Sequence, residues 1–225
     1  MLKELPSLTY GESTVEHLPL ETAEFFAWCG KQYGSPNAEV ADAAVDFYLN
    51  FPNHLLNTPG EPGYYPGLLA VNKPSHISSQ NGGRDNPYSI DTIARLATGI
   101  SDIHCINRLD HDTSGVMLLG TTRQVRASLS KQLRAHTVHK KYLAILDGAL
   151  NPKFAGIVAP LAQDHNCNHS YTIDAQSPDA KQSHTGIKFL ATAVHRMTGA
   201  TYSIVEIRLF TGRSHQIRYR MPSSA

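Results

Sequence analysis

The most informative segment of this 225-residue chain is IHCINRLDHDTSGVMLLG, residues 103–120. Its middle part, DTSG (112–115), consists of residues that favour turns. The residues GVMLLG (115–120) that follow are all apolar or glycine, as in a short strand buried on both faces. The segment therefore predicts a polar loop that leads directly into a buried strand.

Two charged residues of this loop, Arg108 and Asp110, are separated by one residue, so their side chains point to the same face of an extended segment. An arginine beside a carboxylate keeps it ionised and able only to accept hydrogen bonds, which suits a nucleophile or a base rather than an acid. The same pair could also brace the turn as a structural ion pair. From these residues alone, a catalytic and a structural role for Asp110 both stay open.

Apolar segments on either side of this loop predict the fold class. LLAVNKP (68–74) and YLAIL (142–146) are typical of strands, and SIVEIRLF (203–210) alternates in the same way before a turn at Thr211 and Gly212. Strands outnumber helices and follow one another closely. We therefore expect an α+β fold with a mixed, mainly antiparallel sheet flanked by helices.

A strongly basic helix is predicted over residues 122–136, because Val125, Leu129 and Leu133 recur every four residues. Between residues 121 and 141 there are six basic residues, two histidines and no acidic residue. Such a helix forgoes the stabilising pairs of opposite charge that surface helices usually form. Binding to phosphates would compensate the repulsion, so we expect nucleic-acid affinity that weakens steeply with salt. A solvated outer face is the alternative.

Charge is distributed unevenly along the chain. Residues 1–65 carry two basic and nine acidic residues, a net charge of −7, whereas residues 66–225 carry 18 basic and ten acidic residues, a net charge of +8. The second part is therefore expected to face a polyanion. The stretch NTPGEPGYYPG (57–67) marks the boundary. We predict a helical N-terminal extension at 1–65, with helices at 22–30 and 38–49, packed against a main domain at 66–225.

Composition excludes several other classes of protein. With 41% hydrophobic residues and a mean hydropathy of −0.29, the chain is typical of a globular protein. It lacks an apolar run of the ~20 residues that a membrane helix needs, so no membrane partner is expected. Its three scattered cysteines favour a reducing, cytoplasmic location. His165, Cys167 and His169 alternate but have no second ligand cluster in the sequence, so no metal is expected.

RLDHDTSG (108–115), followed by an apolar strand and a basic helix, resembles the central motif of the RluA-type pseudouridine synthases. Other segments resemble further motifs of that family in the same order, and the resemblance covers about residues 66–221. These segments are LLAVNKPSHI (68–77), like the first strand and its Asn-Lys-Pro turn; KKYLAILDG (140–148), like the segment with the active-site tyrosine; GIVAPL (156–161), like the next turn; and LFTGRSHQIR (209–218), like a late Gly-Arg-x-His-Gln-Ile-Arg strand.

The resemblance implies a role for individual residues. Asp110 matches the catalytic aspartate of the family, and Arg213 matches the arginine that pairs with it. Tyr142 matches the tyrosine that stacks on the target uracil and is proposed to take part in proton removal from C5. Arg108 matches an arginine that helps to occupy the space left by the flipped nucleotide. Further RNA contacts are expected at Arg123, Arg126, Lys140, Lys141 and Arg218.

The reaction that the resemblance implies is the isomerisation of a uridine in ribosomal or transfer RNA to pseudouridine by a monomeric enzyme without cofactor or metal. The N1–C1′ bond breaks, the base rotates, and C5 bonds to C1′. The aspartate could attack C1′, attack C6 or deprotonate C2′, and the sequence leaves these three routes open. The target base must be flipped out of a helix or start in a loop, where it can stack on Tyr142.

Two departures from the family pattern accompany the resemblance. Asn107 stands where the family commonly has histidine, although asparagine can also donate and accept hydrogen bonds. The sequence ends at Ala225, before the elements that follow in the family, so we expect a catalytic domain that is incomplete at its C-terminus. The alternative function is therefore an RNA-binding protein, or an inactive truncated synthase, that keeps the basic surface. The retained set of Asp110, Tyr142 and Arg213 favours the enzyme.

Overall fold

The computed structural model describes residues 38–60, 64–81, 88–164, 169–172, 178 and 180–220. The chain forms two compact units that divide between Leu133 and Arg134. The predicted helix at 22–30 lies outside the described residues. The described elements are α1 (Ala38–Leu49), α2 (Phe51–His54), β1 (Leu68–Lys73), α3 (Ile90–Thr98), β2 (His104–Cys105), β3 (Gly115–Gly120), α4 (Arg123–Arg134), β4 (Lys140–Asp147), β5 (Gly156–Asp164), β6 (His169–Thr172), β7 (Lys181–Val194), β8 (Thr201–Leu209) and α5 (Gln216–Arg220).

The first unit contains a three-stranded antiparallel sheet in the order β1-β3-β2. β1 and β3 pair along their whole length, from Leu68 opposite Gly120 to Lys73 opposite Gly115. Both strands lie where the apolar segments predicted them. Side chains alternate along β1, so that Leu69, Val71 and Lys73 are buried on one face. The sheet therefore buries a lysine in line with two aliphatic side chains.

The core of the first unit also contains the described end of the predicted N-terminal extension. Helix α1 spans the residues predicted for it. Phe47 and Phe51 are buried, with an edge-to-face contact of 5.4 Å between ring centroids. They belong to the same apolar cluster as Val71 of β1 and Met117 of β3. The extension thus packs against the sheet as expected, at least from Ala44 to Leu55, while a domain boundary at residue 65 stays a prediction.

Two further helices of the first unit are among the described residues. Helix α3 was not predicted from the sequence. It ends at Gly99, which has the left-handed conformation and donates its amide to the carbonyl of Arg95. Helix α4 confirms the amphipathic helix predicted from residues 122–136, and Val125 is its buried anchor. No helix among the described residues combines the length and the apolar character needed to cross a bilayer.

The second unit contains a five-stranded antiparallel sheet in the order β4-β8-β7-β5-β6. Strands β4 and β8 confirm the strands predicted at 142–146 and 203–210, and pair from Lys140 opposite Leu209 to Asp147 opposite Tyr202. Val205, Ile207 and Leu209 form the buried side of β8, and Ile187 of β7 packs with them. The two antiparallel sheets with their helices confirm the α+β class.

Two expectations for the second unit were wrong. Residues 156–161 do not form a turn; they begin β5, which pairs with β7 from Gly156 opposite Gly186. The late Gly-Arg motif, which the family resemblance described as a strand, is not one either: a loop at 210–215 contains the turn predicted at Thr211 and Gly212 and leads into α5. The side chain of Gln216 accepts hydrogen bonds from Thr211 and Arg213 and so stabilises this loop.

Candidate active site

The loop between β2 and β3 begins at an anchored asparagine. Oδ1 of Asn107 accepts a hydrogen bond of 2.7 Å from the amide of Leu118, and Nδ2 donates one of 3.4 Å to the carbonyl of Val116. The amide of Ile106 donates to the carbonyl of Leu118 at 2.8 Å. The side chain of Asn107 therefore extends the pairing of β2 with β3 and uses both its donor and its acceptor, as expected for a residue that replaces histidine.

A buried serine fixes the residue that precedes Asp110. The amide of Leu109 donates to Oγ of Ser79 at 2.9 Å, and this hydroxyl donates in turn to the carbonyl of Leu109 at 2.6 Å. One residue further, the amide of Thr113 donates to the carbonyl of Asp110 at 3.1 Å and closes the turn. The backbone around the half-buried Asp110 is thus held from both sides.

A fully buried lysine holds the other end of the same loop. Nζ of Lys73 donates to the carbonyls of Pro74 at 2.8 Å, of His111 at 2.9 Å and of Thr113 at 2.9 Å. An ammonium group has three donors, so the arrangement satisfies all of them. Lys73 therefore joins the end of β1 to the turn that follows Asp110.

Burial lowers the pKa of Lys73 to about 8, although the negative charges of Asp112 and Asp110 act in the opposite direction. At neutral pH the side chain is therefore mostly protonated, and it places a cation next to the two carboxylates of the loop. Lys73 was not among the residues predicted for the site. The sequence does indicate its burial, since alternation along LLAVNK puts Lys73 on the same face as Leu69 and Val71.

Cys105 of β2 is a structural rather than a reactive thiol. Its Sγ lies 3.0 Å from the carbonyl of Ser79, to which it donates. Burial, assisted by the charge of Asp91, raises the pKa of Cys105 to about 12. The thiolate is the reactive species, so this cysteine is protonated and inert at neutral pH.

We therefore expect Cys105 to resist iodoacetamide at pH 8 in the folded chain and to react after unfolding in urea. The measurement is peptide-resolved mass spectrometry of both samples, which separates Cys105 from the other two cysteines. Equal modification of Cys105 in the folded and unfolded samples would contradict the assigned pKa.

The basic residues of α4 differ in how they are engaged. Arg123 is exposed. Arg126 instead contacts Asp102, with 2.9 Å between Nη1 and Oδ2, and its Nη1 also donates to the carbonyl of Asp102 at 3.2 Å. This hydrogen bonding lowers the pKa of the Asp102 carboxyl. The basic window at 121–141 contains no acid, but the fold supplies one from outside it, and Arg126 helps to hold the segment before β2.

The second unit holds Tyr142 and Arg213. Tyr142 lies in β4 opposite Ile207 and packs, half-buried, against the apolar cluster of the sheet. Arg213 lies half-buried in the loop after β8, where its Nε donates to the carbonyl of Gln182 at 3.1 Å. Each side chain is thus tied to the sheet: the phenol ring by packing and the guanidinium by a backbone contact.

Gln216 is a positioning residue for the loop that carries Arg213. Its Oε1 accepts from the hydroxyl of Thr211 at 2.8 Å and from the amide of Arg213 at 3.0 Å. Its Nε2 donates to the carbonyl of His184 at 3.2 Å and to the hydroxyl of Thr185 at 2.9 Å. The side chain is 2% exposed, so it links the loop to β7 from inside the unit. The sequence analysis did not single it out.

Replacement of Gln216 by Leu is expected to lower the free energy of unfolding by about 2–3 kcal/mol, because it leaves buried polar groups without partners. Urea denaturation is the measurement, and Gln182→Leu, the same change at an exposed side chain, is the control. If the two variants are equally stable, the positioning role is contradicted.

The remaining basic residues of the second unit lie around this loop and on β4. Lys140 is half-buried, its Nζ is 3.4 Å from the carbonyl of Thr211, and its pKa is lowered by burial and then by the charge of Arg213. Lys141 is exposed, with 3.6 Å between its Nζ and Oε1 of Glu206, an ion pair of little energetic weight. Arg218 of α5 is exposed.

An aromatic and basic cluster that the sequence analysis missed lies at the end of β8. The rings of His184 and Phe210 are stacked, with 4.1 Å between centroids. The guanidinium of Arg208 lies 4.7 Å from the centroid of Phe210, and its Nη2 is 3.0 Å from Nδ1 of His139. Exposed aromatic rings beside guanidinium groups are surfaces on which nucleic-acid bases stack.

The structure thus places the predicted site residues in both units. Asp110 lies in the first unit with Arg108, Arg123 and Arg126. The second unit contains Tyr142, Lys140, Lys141, Arg213 and Arg218. Within the second unit Lys140 and Arg213 are brought together around one loop, and within the first unit Lys73, which the sequence analysis missed, joins the site of Asp110.

A family model described as RNA pseudouridylate synthase matches residues 67–223. The chain belongs to this family, and its α+β fold is the one found in solved members. It is similar to human RNA Pseudouridylate Synthase Domain Containing 4, with a TM-score of 0.58 and 21% sequence identity over 80% of this chain and 67% of that one. The resemblance to RluA-type synthases seen in the sequence is confirmed.

Curated relatives make the similarity more specific. The chain is 31% identical to the ribosomal large subunit pseudouridine synthase C of Buchnera aphidicola over 174 residues, which cover 77% of this chain and 51% of the relative. It is 32% identical to the dual-specificity RNA pseudouridine synthase RluA of Vibrio parahaemolyticus over 154 residues, 68% of this chain and 60% of the relative. The chain therefore spans about half the length of the curated relatives that it matches.

Proposed function

We propose that this chain isomerises specific uridines in RNA to pseudouridine, with Asp110 as the catalytic residue. The observation that carries the proposal is the loop 106–114, which lies inside the family match and holds Asp110 between fixed neighbours. Ser79 and Asn107 fix the residues before it, and Lys73 fixes those after it. A carboxylate held in this way needs little reorganisation before it reacts.

The reaction balances without a cofactor. The N1–C1′ bond of the target uridine breaks, C5 of the rotated base bonds to C1′, the proton on C5 is lost, and N1 of the product carries a proton. The carboxylate of Asp110 serves this sequence by attack at C1′, by attack at C6 or by deprotonation of C2′. Each route needs an ionised, half-buried carboxylate beside a flipped base, and all three stay candidates.

Tyr142 and Arg213 are proposed to complete the site. The ring of Tyr142 packs against an apolar cluster, which limits its movement and suits it to stack on an extruded uracil. Arg213 is proposed as a further catalytic residue, as the family resemblance implies; its contact from Nε to the carbonyl of Gln182 orients a guanidinium whose planar fork matches a carboxylate. Gln216 fixes the backbone of Arg213 and supports this role.

The RNA surface is proposed to include Arg108, Arg123, Lys140, Lys141 and Arg218, with Phe210 and His184 as stacking platforms. Arg126 is expected to contribute less to RNA binding, because its guanidinium already contacts Asp102. Contacts to phosphates position the RNA and are salt-dependent, whereas stacked bases tolerate salt better. Substitution of Arg123 should therefore weaken binding more at low salt than at high salt.

Ribosomal and transfer RNA are both proposed as substrate classes. One curated relative is described as a ribosomal large subunit enzyme and another as dual-specific. A monomeric state and a cytoplasmic location stay predictions; the latter rests on three scattered cysteines.

The test uses the full chain and transcripts of ribosomal and transfer RNA that carry tritium at C5 of uridine. Release of tritium to solvent, with pseudouridine identified in the digested product, is the expected result. Tight, salt-sensitive RNA binding without tritium release from either class would instead favour the alternative, an RNA-binding protein that does not turn over.

A further inference from the structure

We propose that His76, His111 and Asp112 form a binding site for one divalent transition-metal ion of the zinc class. One ligand atom from each of these residues lies within 4.8 Å of the other two. The residues come from two segments about 35 positions apart, the turn after β1 and the loop after Asp110. This assignment departs from the expectation that the chain holds no metal, and it does not depend on the proposed function.

One of the separations between these ligand atoms already matches that of a tetrahedral site. Nδ1 of His76 lies 3.6 Å from Oδ1 of Asp112, and Nδ1 of His111 lies 2.6 Å from the same oxygen. Ligands bound to zinc at ~2.0–2.1 Å are separated by about 3.4 Å in a tetrahedron. The first distance fits directly. The second is a hydrogen bond, so metal binding requires the exposed His111 side chain to rotate and open it to that separation.

Both ligand segments are anchored from inside the unit by the same lysine. Nζ of Lys73 bonds the carbonyl of Pro74, two residues before His76, and the carbonyls of His111 and Thr113 around the other two ligands. His76 also adopts a φ of +66°, a left-handed conformation that is uncommon for a residue other than glycine. The backbone that carries the ligands is therefore already fixed without a bound ion, and this lowers the entropy cost of binding.

The donor set selects the kind of ion. Two imidazoles and one carboxylate suit Zn²⁺, Ni²⁺ or Cu²⁺, whereas Mg²⁺ and Ca²⁺ prefer sites built from oxygen ligands alone. Three protein ligands leave a fourth position for water. A bound ion would connect the turn after β1 to the exposed residues that directly follow Asp110 in the loop 106–114.

A second histidine–aspartate pair in the same unit serves as a matched control. Nε2 of His104 lies 3.0 Å from Oδ1 of Asp102, but the other neighbour of that carboxylate is the guanidinium of Arg126, 2.9 Å away. A permanent cation at that place repels a metal ion. The pair around Asp102 is exposed as well, but it has no third ligand among the residues that the structure describes, so it should not bind.

The experiment titrates the full, untagged and metal-stripped chain with Zn²⁺ by calorimetry and with Co²⁺ by visible absorption. His165→Ala and Cys167→Ser are introduced throughout, to remove the other histidine- and cysteine-containing segment. We expect one ion per chain with micromolar affinity and the intense visible bands of four-coordinate Co²⁺. His76→Gly, which also suits the positive φ, and His111→Gln should each weaken binding at least about tenfold, while His104→Gln should leave it unchanged.

Three results would overturn the proposal: no saturable binding below millimolar concentrations, binding that His76→Gly and His111→Gln leave intact, or an equal loss in His104→Gln. Thermal denaturation of each variant without metal checks that the fold is retained. Tritium release is not a readout here, so failure of the metal site and failure of the proposed enzymatic function are separate outcomes.

Discussion

Replacement of Asp110 by Asn is expected to lower tritium release from C5-labelled RNA by at least about 10³-fold, the size of effect seen when a central catalytic group is removed. Asparagine has nearly the same shape but is uncharged, a poor nucleophile and a poor base. The backbone contacts of Ser79 and Lys73 on either side involve neither carboxylate oxygen, so the loop should keep its structure. The thermal midpoint and RNA affinity should therefore change little while turnover disappears.

The control for this variant is Asp147→Asn, the same change at an exposed carboxylate at the end of β4. It should keep turnover within a fewfold of the unmodified chain. Turnover by Asp110→Asn within tenfold of the unmodified chain would contradict the catalytic assignment. A parallel loss of turnover, RNA affinity and thermal midpoint would assign Asp110 the structural role that the sequence left open.

Replacement of Lys73 by Met is expected to destabilise the chain by about 3–5 kcal/mol, as for other changes that break a buried charged network. Methionine has a similar length but no donors, so three carbonyls around the loop lose their partner in the interior of the first unit. Turnover should fall as well, since two of these carbonyls, those of His111 and Thr113, belong to the turn directly after Asp110. Urea denaturation followed by circular dichroism measures the change.

Lys131→Met, the same substitution at an exposed position of α4, is the control and should cost less than about 0.5 kcal/mol. Lys73→Arg is the second comparison, because it keeps the charge and the donors but adds volume in a packed interior. If Lys73→Met lowers the free energy of unfolding by less than about 1 kcal/mol, the three hydrogen bonds do not hold the loop.

The same lysine predicts a specific dependence of stability on pH. Its folded-state pKa of about 8 is below the 10.5 of an exposed lysine, so between these values the unfolded chain binds more protons at this position. The contribution of Lys73 to the free energy of unfolding therefore rises with pH across this window and is constant below it. The raised pKa of Cys105 acts in the opposite direction above pH 9. This effect is the same in the unmodified chain and in Lys73→Met, so it cancels when their free energies of unfolding are subtracted.

The measurement is the difference in free energy of unfolding between the unmodified chain and Lys73→Met from pH 7 to 10.5. We expect this difference to be flat up to about pH 8 and then to grow. A difference that shrinks over the same range would mean that the ammonium is stabilised rather than penalised by its site.

The sequence predicted best those parts of the fold that local patterns determine. Strands β1 and β3 were expected at the right residues because each is a short apolar run that ends in turn formers. Helices α1 and α4 were expected from apolar residues at helical spacing. In the late Gly-Arg segment the turn at Thr211 and Gly212 was expected correctly, whereas the strand implied by the family motif is absent. Gln216, which holds this loop, hydrogen-bonds groups on β7 about 30 residues away, and the local pattern does not show that contact.

The candidate site was predictable only in part, for the same reason. Asp110 and Asn107 were visible in a motif, whereas Ser79 reaches Leu109 across 30 residues and leaves no local signature. Lys73 did leave one, since strand alternation puts it in line with buried Leu69 and Val71. No acidic neighbour was expected for Arg126, because its partner Asp102 lies outside the basic window at residues 121–141. The pattern of a single segment therefore cannot predict hydrogen bonds or ion pairs between polar groups that are far apart in the sequence.

The most direct test of the central claim is a map of pseudouridines in the RNA of cells that lack the gene, complemented with either the unmodified chain or Asp110→Asn. We predict that at least one modified position disappears on deletion, returns with the unmodified chain and stays absent with Asp110→Asn. A map that the deletion leaves unchanged, or that Asp110→Asn restores as well as the unmodified chain does, would contradict the account.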